Sequence, residues 1–173
     1  MAALGVMALL VTGATGGRDG RRAACLDHVR QLAMASVMYA GDHGDTLPHS
    51  GWGLRGADCW AHAVQVNGQT IPYLVGKDDP TPQLPYLRAG QLWPYLRREA
   101  VFMCPQDVTE RSGSPYSSWR QRDLKITSYT MNSSVIGHAD IRIGAVHQLS
   151  RFAPDAFLLW GRMRPGPFSS MMR

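Results

Sequence analysis

The side chains best suited to chemistry are three cysteines, Cys25, Cys59 and Cys104, together with six histidines and thirteen acidic residues. No two cysteines form a Cys-x-x-Cys pair, so a zinc ribbon, a thioredoxin-type redox site and a c-type haem attachment all lack their spacing. Cys59-Trp60-Ala61-His62 has the ligand spacing of half a metal site, which His43 and His49 would complete. These residues lie in Gly- and Pro-rich stretches without recurrent spacing, so unrelated surface and core roles are expected and a tight metal site is not. Asp42, Asp45, Asp78 and Asp79 offer the oxygen ligands that calcium takes in loops, but Asp in turns ordinarily bonds its own backbone. His28 falls on the polar side of a helical pattern and reads as a solvated surface residue.

Catalysis finds no framework. A G-x-S-x-G elbow, an H-E-x-x-H helix and a nucleophile-cysteine signature are all missing, so no catalytic residue is assigned and the chain reads as non-enzymatic. The Gly-rich stretch Thr12 to Gly20 matches neither G-x-G-x-x-G nor a Walker loop, which leaves no nucleotide site and no cofactor indicated. The net charge of +5 is modest, and the basic residues are scattered apart from Arg21-Arg22 and Arg97-Arg98, so no nucleic-acid partner is indicated. Asn132-Ser133-Ser134 fits a glycosylation sequon, which has meaning only in a eukaryotic secretory setting.

The elements that would position these groups are short, with one exception. A chain of 173 residues, 45% hydrophobic and 18% charged, suits a single domain, and its 18 Gly and 11 Pro point to a loop-rich fold. Residues 1–20 read as a residual apolar segment and a Gly-rich joint, and residues 21–173 as the globular domain. From Arg21 to Ala40 apolar residues recur at Cys25/Leu26, Val29, Leu32/Ala33, Val37 and Ala40, the spacing of an amphipathic helix of about five turns. Arg22, Asp27, Arg30 and Gln31 lie between them, and Gly41 to Gly44 supply a stop. Leu47 to Leu87 reads as a long loop region anchored by Trp52, Trp60, Tyr73 and Tyr86, with a helical turn or two at Ala61–Val66. Gln91–Arg98 reads as another short helix with Pro94 in its first turn, and Val101–Met103 as a short strand ending at Cys104-Pro105. Ile126–Val135 and Ala156–Trp160 are β-type runs, the second continuous and therefore expected to be buried. The result is an α+β fold in which the stripe Leu26, Val29, Leu32, Ala33 and Val37 is covered by an antiparallel sheet containing Tyr129, Met131 and Leu158-Leu159.

Four stretches, taken in order, carry a family resemblance. Arg21-Arg22-Ala23-Ala24-Cys25-Leu26 through Arg30-Gln31-Leu32-Ala33 to Met38-Tyr39-Ala40-Gly41-Asp42 and Leu47-Pro48 resembles the helix of bacterial prepilin-type proteins. These are the pseudopilins of type II secretion and their relatives. Gly90-Gln91-Leu92-Trp93-Pro94-Tyr95-Leu96, followed by Val101-Phe102-Met103-Cys104-Pro105-Gln106-Asp107, is similar to the same family's GxLxPYL…VFxCPxD segment. Ser128-Tyr129-Thr130-Met131-Asn132 resembles its SYxMN strand and Phe152 to Trp160 its P-[ST]-[ED]-xxLLxE strand, with Trp160-Gly161 where relatives usually have an acid, and the agreement covers about residues 21 to 162. The family's leader, its GFTLIE cleavage and methylation site and most of its apolar arm have no counterpart here, only Leu4 to Val11 remaining. That run is too short to span a bilayer, and its positive charges follow it, the wrong order for a cleaved secretory signal. A misassigned start and a degenerated membrane arm are both compatible with this.

The resemblance implies a pilin-like fold, a long N-terminal helix packed on a small antiparallel sheet with long loops. It implies a non-enzymatic structural subunit of a type II secretion or type IV pilus-like apparatus. Its partners would be other pilin-like subunits or secretion-apparatus proteins, its head periplasmic, its anchor in the inner membrane if the missing N-terminal helix is restored, and the protein soluble if the chain as written is complete. A soluble periplasmic recognition module using the aromatic loop Trp52 to Tyr95 is the second expectation, and a metal-dependent hydrolase the third. The family-motif positions are Arg30, Gln31, Tyr39, Pro94, Tyr95, Cys104, Pro105, Asp107, Tyr129 and Asn132. In an oxidising periplasm a Cys25–Cys104 disulfide would persist. Both residues are expected at element ends, and the closed loop would add about 4 kcal/mol in the chain-entropy picture. Two buried free thiols are the competing expectation, with Cys59 free in either case.

Overall fold

Gly17, in extended backbone, admits the first helical turn without a side-chain cap, and α1 then runs unbroken over Arg18–Asp42. At 1.5 Å per residue its 25 residues span about 37 Å. The structure, a computed structural model, describes residues 17–51, 58–109, 119–136 and 148–161. The Gly-rich joint is therefore shorter than expected: Gly20 lies inside α1, while Ala2 to Gly16 and the rest of the expected apolar segment fall outside the described residues. α1 stops where predicted. The Ala40 carbonyl accepts N–H bonds from His43 and Asp45, and Gly44 and Asp45 turn the chain in the left-handed region at φ 61° and 67°.

The remaining elements are short: β1 Gln65–Val66, β2 Gln69–Thr70, α2 Leu84–Arg88, α3 Trp93–Leu96, α4 Pro105–Thr109, β3 Tyr129–Met131 and β4 Leu159–Gly161. β1 and β2 form an antiparallel hairpin, as do β3 and β4, the latter in register Tyr129 with Gly161 and Met131 with Leu159. The architecture is α+β, with α4, α3, β4 and the 3-10 turn Glu99–Phe102 packed along α1. The core between them holds Leu32, Leu47, Leu87, Leu92, Val101, Phe102, Ile126 and Met131, with Trp60 and Trp93 flanking the Phe102 ring.

Four local expectations are corrected. Ala61–Val66 is not helical: Asn67 and Gly68, at φ 52° and 76°, make the tight turn that pairs Gln65-Val66 with Gln69-Thr70. Val101-Phe102 sit in a 3-10 turn, not a strand, since the chain must curl there to bring Cys104 back to α1. The run Ala156–Trp160 is not buried throughout; in the two-stranded sheet only Leu159 points inward, and Phe157 and Trp160 meet edge to face on the surface. The buried stripe of α1 is also rotated from the one expected. Cys25, Leu32, Ala35, Ser36 and Ala40 face the core, Val29 and Ala33 flank them, and Leu26 and Val37 face outward.

Candidate functional site

Small side chains at Cys25, Ala35, Ser36 and Ala40 let the head approach α1 closely, and a set of polar links fixes its register. Cys25 and Cys104 form a disulfide with Cα atoms 4.9 Å apart. Around it, Arg21 Nε donates to Gln106 Oε1 at 2.9 Å and His28 Nδ1 to the Met103 carbonyl at 2.9 Å. Tyr129 adds a hydrogen bond from its hydroxyl to the Cys25 carbonyl at 3.3 Å. His28 is thus half-buried and bonded, not a solvated surface residue, because the segment before Cys104 lies directly against its face of the helix. Ser36 is tolerated at the interface because its hydroxyl donates to the Leu32 carbonyl one turn back.

Behind the disulfide lies a buried ionic centre. Pro105 opens α4, and Asp107 in its first turn takes both terminal nitrogens of Arg122 at 2.6 and 2.7 Å and the Ser128 hydroxyl at 2.5 Å. Both ion-pair side chains are less than a tenth exposed. Burial, with the Asp107 charge adding to it, pushes the Tyr129 phenol well above its ordinary value. Lys125 is wholly buried, its Nζ donating to the carbonyls of Trp119 and Arg122 and lying 5.4 Å from the Trp119 ring centre. The Gln83 amide joins three segments, donating to Pro72 and Asp123 carbonyls and accepting the Lys125 N–H.

The other motif positions also hold structure together. Tyr39 stacks on His43 at 3.8 Å and meets Tyr95 edge-on, while the Tyr95 hydroxyl donates to Asp42 Oδ2 at 2.8 Å. Desolvation and that carboxylate push the Tyr95 phenol up to about 12. Pro94 occupies the first turn of α3, Gln31 bonds Asp27, and Asn132 bridges the Phe157 carbonyl and the Ser134 N–H. Arg30 alone of the set is exposed without such a bond, on the outer side of α1.

That outer side is the feature left over. Leu26, Met34, Val37 and Met38 are 50%, 67%, 52% and 55% exposed. At 3.6 residues per turn they fall within about 120° of arc, which they share with the exposed charged residues Asp19, Asp27 and Arg30. α1 therefore has one face bonded to its own head and one open face, on which four large apolar side chains stand among charged ones.

Among the described residues, the groups singled out for chemistry are separately engaged. Cys59 is buried, its thiol pushed up to about 11 by desolvation, and His43 is tied to the Tyr39 carbonyl. Asp42, Asp45, Asp78 and Asp79 bind Tyr95, Ser150, Arg120 and Thr81 respectively, in two separate regions of the fold. Among the described residues no three His, Cys, Asp or Glu side chains converge on a point that could hold a metal ion. Trp60 and Tyr86 belong to the core and only Tyr73 of the described loop anchors is largely exposed, while Trp52 lies outside the described residues. No helix among the described residues is long and apolar enough to cross a membrane. Sequence reasoning missed Met34 and Met38 as open apolar positions, and it missed Gln83, Arg122 and Lys125, whose partners lie far away in the chain. Comparison of the chain with protein-family profiles, with curated proteins and with solved structures finds no match.

Proposed function

We propose that this chain is a non-enzymatic structural subunit of a type II secretion or type IV pilus-like apparatus, a pseudopilin-like protein with a pilin-like head. The observation that carries the reading is the division of α1: one face is covalently and polarly locked to the head, while Leu26, Met34, Val37 and Met38 stay open on the other. An assembling subunit buries such a face on its neighbour, at about 25 cal/mol per Å² of apolar surface removed from water. The motif positions other than Arg30 support the same reading, because their described contacts stabilise the head. The partners are further pilin-like subunits, with the head in the periplasm; anchoring in the inner membrane belongs to this reading only where a longer apolar N-terminal helix is present.

The test is the double variant Met34→Asp/Val37→Asp in the full chain. Because both positions are open, the melting temperature stays within a degree or two of the parent, while concentration-dependent association in sedimentation velocity is lost. Association unchanged by the two charges, or a parent chain that stays monomeric at every concentration, overturns the proposal.

A further inference from the structure

The turn that follows Leu47-Pro48 carries a device unrelated to assembly. His49 and Ser50 are each only 5% exposed, and His49 is fixed at three points. Its N–H donates to Gln91 Oε1, its carbonyl accepts from the Trp60 N–H, and its Nδ1 accepts from the Gly51 N–H at 3.0 Å. An acceptor Nδ1 requires the neutral ring with its proton on Nε2, and that Nε2 is buried without a partner among the described residues, as is Ser50 Oγ. Gly51, at φ +84°, lies over the side chain of Cys59, where a Cβ would stand 3.2 Å from Sγ. The turn thus covers a buried thiol.

We propose that His49–Gly51 is a proton-operated latch over Cys59: proton uptake by His49 opens the turn and exposes the sulfur. A second proton on the ring would set Nδ1–H against the Gly51 N–H, donor against donor, and would place a charge where no counter-charge is bonded. The neighbouring groups do not compensate. Gln91 and Trp60 are uncharged, and Cys59 stays a thiol. Asp58 accepts the Val64 N–H, and its charge acts on Cys59 and His62 but not on His49, whose shift has burial as its one cause. His62 is bonded to the Ala63 carbonyl, Asp45 to Ser150 and His43 to Tyr39. Burial holds His49 below the ordinary value of 6.5, so the closed turn is favoured above that pH and loses ground as pH falls through it, when the opened ring takes the proton first.

With Cys25 and Cys104 joined, Cys59 is the free thiol of the chain and reports opening directly. The experiment follows reaction of the full, unreduced chain with dithiodipyridine from pH 7.5 to 5, each rate divided by that of an unstructured cysteine peptide, with far-UV circular dichroism confirming that α1 persists. One proton bound to a group of ordinary affinity gives a rise of up to about thirtyfold over this range. His49→Asn, whose Oδ1 keeps the acceptor but takes no proton, is expected to be flat, and His62→Asn to retain the rise. A flat parent, or equal slopes in the parent and His49→Asn, overturns the latch. Should His49→Asn not fold, hydrogen exchange at the Gly51 amide of the parent decides. Protection falling below pH 6.5, after correction for intrinsic exchange, supports the latch, and constant protection overturns it.

Discussion

Asp107 is held in a buried network of its own making. Its carboxylate takes a bidentate Arg122 and the Ser128 hydroxyl in a site closed to water, so removing it strands a buried guanidinium. Asp107→Ala is expected to cost about 3–5 kcal/mol in urea unfolding, the penalty of an uncompensated buried charge. The Arg88–Glu99 pair has a shorter story: with side chains 56% and 37% exposed, Glu99→Gln should cost less than about 1 kcal/mol in the same assay. The importance of Asp107 was legible through the resemblance, but its partner was not, because Arg122 sits in no motif and is reached only by folding. Lys125 had no signal at all. A lysine between loop residues reads as solvated until the Trp119 and Arg122 carbonyls are seen to surround it.

At the scale of elements, the long helix was legible because its apolar spacing repeats over five turns, yet which side of it would be buried was not. Leu26 and Val37 outrank Cys25, Ala35 and Ser36 in hydrophobicity, but the disulfide and the close approach of the head select the face with the smaller side chains. The hairpin at Gln65–Thr70 carried a usable signal, the Asn67-Gly68 dipeptide, which outweighs the helical look of Ala61–Val66. Glycines divide along the same lines. A Cβ at Gly90 would lie 2.6 Å from the Ala61 backbone, which cannot yield as a side chain can, so Gly90→Ala should destabilise by about 1–3 kcal/mol. Gly41, in the last turn of α1 with open space around it, should give the opposite sign: Gly41→Ala raises stability by up to about 1 kcal/mol. Thermal melts of the two variants test both signs.

For the whole molecule, the disulfide and the open face lie on opposite sides of α1. The link between Cys25 and Cys104 ties positions 79 apart, and its reduction is expected to lower stability by about 4 kcal/mol, read from urea midpoints with and without reductant. Unfolded, unreduced protein should show one reactive thiol, from Cys59. A helix held so firmly on one side can present its other side to a neighbour without deforming the head. Site-directed photo-crosslinking tests this most directly. A benzophenone side chain replaces Val37 on the open face or, as control, Tyr73, which is 59% exposed on the loop before α2. Adducts between two copies of the chain that form from position 37, at markedly higher yield than from position 73, are the predicted result. Equal yields from the two positions, or none from position 37, would contradict α1 as the assembly surface.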